Sequence, residues 1–366
     1  MKLDCPRKEF FEAVSAATAA ASVRTSVSIL QNLKIEARDG FITVMGCDGE
    51  MWVEREIACM VQEPGAICLQ ARLLQDIVGK MPDGDIELET ADGNQVTLRQ
   101  GASEYRMMSL DAEDFPEPPA FGGDGELKLR MGTLRKAVDS VIYAVTQEQH
   151  KAVLTGVLFT YNGQTLTLAA TDTHRLAVRK VEQEGIGTSI NAVVPEKALK
   201  AIKSLPIPDD SDIEIKFGNG RLGVDSDGAK VISQLLAGTY PNWERVVPPE
   251  STRTWTVEVD QLNEKVNRIM IFAKDNASRV RFKGSGDQIF LAARSEEKGD
   301  GKEEVPMISN NGDVEIAFNG KYVQDALGAI DGPGVRIEMT ESSRSAIFRP
   351  VDDNGYFCVI MPMALA

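Results

Sequence analysis

Three stretches of this 366-residue chain read alike, and that repeat constrains the fold more than any other feature. Gly65-Ala66-Ile67-Cys68-Leu69 runs into Ala71-Arg72-Leu73-Leu74-Gln75-Asp76-Ile77 and then Asp85-Ile86-Glu87-Leu88. Asn191-Ala192-Val193-Val194-Pro195 runs into Glu196-Lys197-Ala198-Leu199-Lys200-Ala201-Ile202 and then Asp212-Ile213-Glu214-Ile215. Val314-Glu315-Ile316-Ala317-Phe318 runs into Gly320-Lys321-Tyr322-Val323-Gln324-Asp325-Ala326-Leu327 and then Gly334-Val335-Arg336-Ile337. Each reads strand, short amphipathic helix, turn, strand. Ile86, Ile213 and Val335 lie 127 and 122 positions apart, and a third of the chain is 122 residues. Asp48, Asp172 and Ser295, each closing a short apolar run, keep the same step, at 124 and 123 positions.

A second helical pattern opens each third. Phe10, Phe11, Val14 and Ala17 form one face, Leu134, Val138 and Val141 the next, and Leu262, Val266 and Ile269 the last; these follow helical spacing. Short alternating strands such as Phe41-Ile42-Thr43-Val44 and Gln95-Val96-Thr97-Leu98 fill the spaces. The Pro/Gly/acid-rich stretch 111–125 and the shorter Pro248-Pro249-Glu250-Ser251-Thr252 suit joints, because proline and glycine continue neither a helix nor a sheet interior. The expected class is α+β, with three similar domains at 1–120, 121–252 and 253–366, each holding two helices and antiparallel sheets. Asp260 and Asn319 are the expected N-caps and Pro195 the expected first helical residue. The charged run Glu296–Glu304 reads as a solvated hairpin tip.

The chain carries 40 Lys+Arg against 55 Asp+Glu, a formal net charge of −15. Taken whole, that argues against nucleic acid, which demands a basic footprint. Taken by element, it does not. The six expected helices hold 13 basic and 8 acidic residues, so they sum to +5 and the rest to −20. Ordinary helix composition explains part of this, since Lys and Arg are good helix formers. Geometry adds to it. Six helices side by side at ~9–10 Å leave an opening of roughly 8 Å, and twelve leave roughly 26 Å, against about 20 Å for a duplex. A ring made by one chain excludes DNA; a ring made by two admits it.

Five cysteines with no C-x-x-C pair, and only two histidines, make neither a disulfide framework nor a zinc set. The opening residues lack the apolar core of a signal peptide, and no run approaches the ~18 apolar residues of a membrane span, so a cytoplasmic protein is expected. No phosphate-binding loop is present, and no cofactor is expected. Asp172 and His174 fall on one strand face without a nucleophile elbow, so they do not make a hydrolase. Asp83-Gly84-Asp85 is a turn and not a calcium loop.

Thr171-Asp172-Thr173-His174-Arg175-Leu176-Ala177-Val178, Tyr240-Pro241-Asn242-Trp243 and Val359-Ile360-Met361-Pro362-Met363 resemble the bacterial DNA polymerase III beta subunit family over essentially the whole chain. The resemblance implies a DNA-clamp fold, closed as a ring by a head-to-tail homodimer. It implies a non-catalytic processivity factor of DNA replication and repair that encircles double-stranded DNA and tethers the replicative polymerase. The polymerase catalytic subunit, the clamp loader and other partners would dock a short peptide motif. The implied peptide pocket is Leu154, Thr171, His174, Arg175, Leu176, Pro241, Arg245, Val246, Val359, Met361, Pro362 and Met363, an apolar concavity with Arg175, Arg245 and His174 as its polar rim. Spacing alone leaves Met361 and Met363 equally readable as core. Implied DNA contacts are Arg24, Gln149, His150 and Lys151; helix charge adds Arg72, Lys197 and Lys200. The implied ring interface pairs Tyr105 and Met107 with Ile271 and Phe272 of a second copy. Thr173 stands where the family often has Gly, Ala364 where a basic residue is common, and Ala366 extends the tail. An acidic peptide-binding scaffold without a DNA role is the competing reading.

Overall fold

The computed structural model describes residues 1–22, 25–91, 94–123, 125–182 and 189–365. Among them lie six α-helices: α1 (Arg7–Thr18), α2 (Ala71–Lys80), α3 (Met131–Ile142), α4 (Glu196–Lys203), α5 (Val259–Ala273) and α6 (Gly320–Gly328). Every one follows directly on a strand, so each third holds two strand-to-helix units. Asn319 caps α6, its side chain accepting from the Lys321 N–H at 3.0 Å. Asp260 lies inside the first turn of α5, after the capping position at Glu258, and Pro195 ends its strand instead of opening α4. The run Glu296–Glu304 is mostly not a tip, because Gly299–Pro306 forms a strand.

Packing divides the chain into two compact units, and the middle third contributes to both. The first is built on Met1–Leu134 and Lys197–Leu235. Its five-stranded sheet runs Met60–Glu63, Lys2–Pro6, Asp85–Ala91, Gln95–Gln100, Ser103–Met108. Its eight-stranded sheet runs Gly125–Arg130, Asp212–Gly218, Arg221–Ser226, Ala229–Gln234, Met51–Ala58, Phe41–Cys47, Asn32–Arg38, Gly65–Gln70. The inward faces of the five-stranded sheet and of the first-third strands of the eight-stranded sheet share one core with the apolar faces of α1 and α2, with Leu3, Phe10, Val14, Leu33, Ile35, Leu74 and Leu98 all fully buried. Each such side chain contributes roughly 1.5–3 kcal/mol of burial.

The second unit repeats the plan. Its nine-stranded sheet runs Ile190–Pro195, Gly156–Tyr161, Thr165–Thr171, Arg175–Glu182, Tyr356–Ile360, Ala346–Pro350, Gly334–Met339, Arg253–Glu258, Ser309–Asn311. Its four-stranded sheet runs Gly299–Pro306, Gln288–Ser295, Arg279–Ser285, Val314–Asn319. Between them α5 and α6 bury Leu262, Val266, Val323 and Ala326 against Trp255, Phe282, Phe318 and Phe348.

In each unit one strand pair joins residues of neighbouring thirds. Ala229–Gln234 pairs with Met51–Ala58, with Val231 opposite Val53. Arg175–Glu182 pairs with Tyr356–Ile360, with Ala177 opposite Cys358. Because side chains alternate along a strand, each joint has an inward face on the main core and an outward face of its own.

Candidate functional site

The outward face of the second joint is apolar. Leu176 and Val178 from one strand, Phe357 and Val359 from its partner, and Leu158, Ala169, Val193 and Ile347 from the flanking strands form one buried cluster. Val153, Leu236, Tyr240, Trp243 and Val247 pack against it partly buried. Trp243 lies 6.3 Å, centroid to centroid, from Phe357. Around this base stand exposed side chains. His174, Pro241 and Arg245 are exposed, Val246 is 50% exposed and Met361 48%, and Pro362 and Met363 are half-buried. Of the expected residues, Leu176 and Val359 lie in the base, Pro241, Arg245 and Val246 lie in the segment whose Tyr240, Trp243 and Val247 pack on it, and Met361 is tied to His174.

The turn carrying His174 is held by short-range bonds. Asp172 Oδ1 accepts the N–H groups of His174 at 2.9 Å and Arg175 at 3.0 Å. Thr171 Oγ1 donates to the Arg175 carbonyl at 2.6 Å, and the Thr171 N–H donates to the Tyr240 hydroxyl at 3.1 Å. Thr173 takes φ +81°, a left-handed conformation that a β-branched residue rarely adopts. That is the physical reason glycine suits this position. Past Ile360 the tail continues in extended form. The Met361 N–H donates to the His174 carbonyl at 3.0 Å and the Met363 N–H to the Ala317 carbonyl at 2.7 Å.

Two other expected pocket residues, Arg175 and Leu154, are also buried. Arg175 is not on the rim. Its side chain is 8% exposed and lies on the face opposite Leu176, as strand alternation requires. There its Nε meets Asp172 Oδ2 at 3.0 Å, its Nη1 meets Asp325 Oδ2 at 2.6 Å, and its Nη2 donates to the Tyr143 carbonyl at 2.6 Å. The Tyr322 and Tyr143 rings flank it at 4.3 and 5.0 Å. Burial works against its charge, yet the Asp325 hydrogen bond and the Asp172 charge raise its pKa above the ordinary value. Leu154 is buried in the 3₁₀ turn Gln149–Thr155, and it is the adjacent Val153 that packs on the apolar base. The residues missed from sequence, chiefly Val178, Ile347 and Phe357, share the strand alternation of Leu176 and Val359, and that period was the available signal.

The expected DNA contacts fall in both units. In the first, Arg72 is exposed on α2 and Lys200 on α4, while Lys197 is exposed and ion-paired with Asp48 at 2.5 Å. Arg24 lies outside the described residues. In the second, Gln149 and His150 are exposed and Lys151 is half-buried. Glu148 sits 2.8 Å from Lys151 and 3.2 Å from His150, and its Lys151 hydrogen bond holds its pKa below the usual carboxylate range. This loop therefore neutralises part of its own positive charge.

Of the expected interface residues, Tyr105 is 37% exposed on the edge strand Ser103–Met108, and Ile271 is 57% exposed on α5. Met107 is buried in the core of the first unit; the exposed methionine of that edge is Met108, at 68%. Phe272 is half-buried against the second core and lies over Gly301, where an added Cβ would come within 2.6 Å of its ring. Among the described residues no group of three or more His, Cys, Asp or Glu is placed to hold a metal ion, and no helix is long and apolar enough to cross a membrane.

Comparison with known proteins places this geometry. The family models for the N-terminal, central and C-terminal domains of the DNA polymerase III beta subunit match residues 1–119, 128–242 and 244–364. The chain is 29% identical to the beta sliding clamp of Staphylococcus aureus, over 99% of both chains. It superposes on the sliding clamp of Pseudomonas aeruginosa bound to griselimycin with a TM-score of 0.93 at 26% identity, covering 100% of both chains. On the Bacillus subtilis DNA polymerase sliding clamp it gives a TM-score of 0.92 at 25% identity, again covering 100% of both. With each third matched in order by a domain of one family, the chain belongs to the DNA polymerase III beta subunit family, the beta sliding clamps, which are non-catalytic processivity factors of DNA replication.

Proposed function

We propose that two copies of this chain close head to tail into a ring around double-stranded DNA, and that the ring tethers the replicative polymerase and other partners through short peptides seated on the apolar face of the second joint. The observation that carries the docking role is the apolar base of Leu176, Phe357 and Val359, bordered by exposed His174, Val246 and Met361. A short peptide there gains burial without ordering a large surface, and methionine adapts to several sequences. Griselimycin, bound by the Pseudomonas clamp, is expected to seat on the same face here. The three domains are taken at 1–120, 121–252 and 253–366, in the cytoplasm.

Ring closure is assigned to the sheet edges. Ser103–Met108 ends the five-stranded sheet and Gly299–Pro306 ends the four-stranded one. The other edge of the four-stranded sheet, Val314–Asn319, is already met by Met363 through Ala317. Pairing Ser103–Met108 with the Gly299–Pro306 strand of a second copy satisfies open backbone groups, with Tyr105, Met108 and Ile271 as the apolar contribution. The lining is weakly basic: Arg72, Lys200 and the Gln149–Lys151 loop attract phosphates without reading bases, which suits sliding. Loaded protein is expected to stay on closed circular DNA at moderate salt and to run off once the circle is cut. Equal retention on both forms would support the scaffold reading instead.

A further inference from the structure

Arg175, expected on the rim of the docking face, is 8% exposed and turns to the opposite face of its strand. Its three hydrogen-bonded partners lie on three separate segments: Asp172 in the turn, Asp325 on α6 and the Tyr143 carbonyl beyond α3. The turn itself is strained at Thr173, and strained backbone persists only where its surroundings over-determine it. The holding contact is Asp172: one oxygen accepts the His174 and Arg175 N–H groups, and the other is fixed by the Arg175 Nε. Arg175 is in turn fixed to α6 by Asp325. Any shift of the turn passes directly to the tail, because the Met361 N–H bonds the His174 carbonyl. A buried arginine between two partly buried carboxylates contributes little net stability relative to apolar residues of the same volume, but it enforces geometry once it is there. Only a planar fork reaches three acceptors in fixed directions, so lysine is no substitute.

We infer that Arg175 is a positioning residue, whose buried fork with Asp172 and Asp325 holds His174 and Met361 in the geometry that receives a docked peptide. The inference rests on the docking reading above. Asp325 is then a second positioning residue, acting from α6 through Arg175.

The test uses the full-length protein with Arg175→Lys and Asp325→Asn, griselimycin as the probe, and Val246→Glu as the control on the exposed border. Both inner variants are expected to weaken griselimycin roughly ten-fold by calorimetry. In the ligand-free protein they are expected to speed hydrogen exchange at the His174 and Met361 amides while Ala177, in the strand centre, stays protected. Adding Thr173→Gly to Arg175→Lys is expected to recover part of the affinity, since glycine adopts the positive φ without strain; a generally loosened core would not respond in this way. Wild-type affinity in both inner variants, with unchanged exchange at 174 and 361, overturns the inference. If Val246→Glu also binds griselimycin normally, the docking reading fails separately, and the ligand-free exchange still decides the role of Arg175.

Discussion

The two joints between thirds have the same architecture and opposite fates. At each, a strand of the middle third pairs with a strand of its neighbour; the outward face is mixed at the first joint, Trp52 and Ile232 beside Glu54 and Lys230, and apolar at the second. At the first joint the following linker covers Trp52 and the strands beside it, and leaves a pocket of about 250 Å³ lined by Pro118, Phe121, Lys230 and Ile232. Phe115 and Ala112 pack onto Leu30, Met45, Cys47, Trp52 and Cys68, the Trp52 Nε1–H donates to the Pro116 carbonyl at 3.2 Å, and Glu117 meets the buried Lys34 at 2.6 Å. Phe121 then lies over Gly223, where even a methyl group would come within 2.4 Å of its ring. At the second joint the following linker covers less. Tyr240, Trp243 and Val247 pack down, but Pro241, Arg245 and Val246 stay outside. A face whose apolar side chains its own chain largely covers is structure; an apolar face left half-covered is available for docking.

That contrast can be broken from either side. The largest effect is expected from deleting Met361–Ala366: griselimycin binding should be lost in calorimetry while sedimentation still reports a dimer, and unchanged affinity would remove the open joint from the docking role. At the covered joint Phe115→Ala should leave binding alone and cost about 3 kcal/mol in chemical denaturation. Thr173→Gly should act in the opposite sense. Relief of the left-handed strain outweighs glycine's entropy in the unfolded chain, for a net gain of about 0.5–1 kcal/mol. A loss there would mean the turn is not strained. The smallest effect is chemical. Burial raises the Cys47 thiol to about 11 and the Cys68 thiol to about 12, so both should resist iodoacetamide at neutral pH, while half-buried Cys59 reacts first. Phe115→Ala should increase labelling of Cys47 and Cys68, which lie under the cover; equal labelling would show that Phe115 does not seal them.

Much of this was legible in the sequence, for a physical reason. Helix faces such as Leu262, Val266 and Ile269 are written in local periodicity, and each was found buried. The strand-to-helix repeat was legible because each unit is a contiguous stretch. What escaped was long-range or depended on which face a strand turns inward. The pairing of Met51–Ala58 with Ala229–Gln234 has no local trace. The family resemblance implied Met107 at the interface and Arg175 on the rim. A single step of alternation puts both inside, Met107 into the first core and Arg175 against Asp172 and Asp325. A buried arginine is recognised only once its partners are placed, and Asp325 lies 150 residues away.

The contrast between the joints is tested most directly by hydrogen–deuterium exchange of the full chain, read by mass spectrometry with and without saturating griselimycin. Protection is expected at 172–176, 240–247 and 357–363, with no change at 112–121. Protection at 112–121, with none at the second joint, would contradict the assignment of docking to the half-covered face.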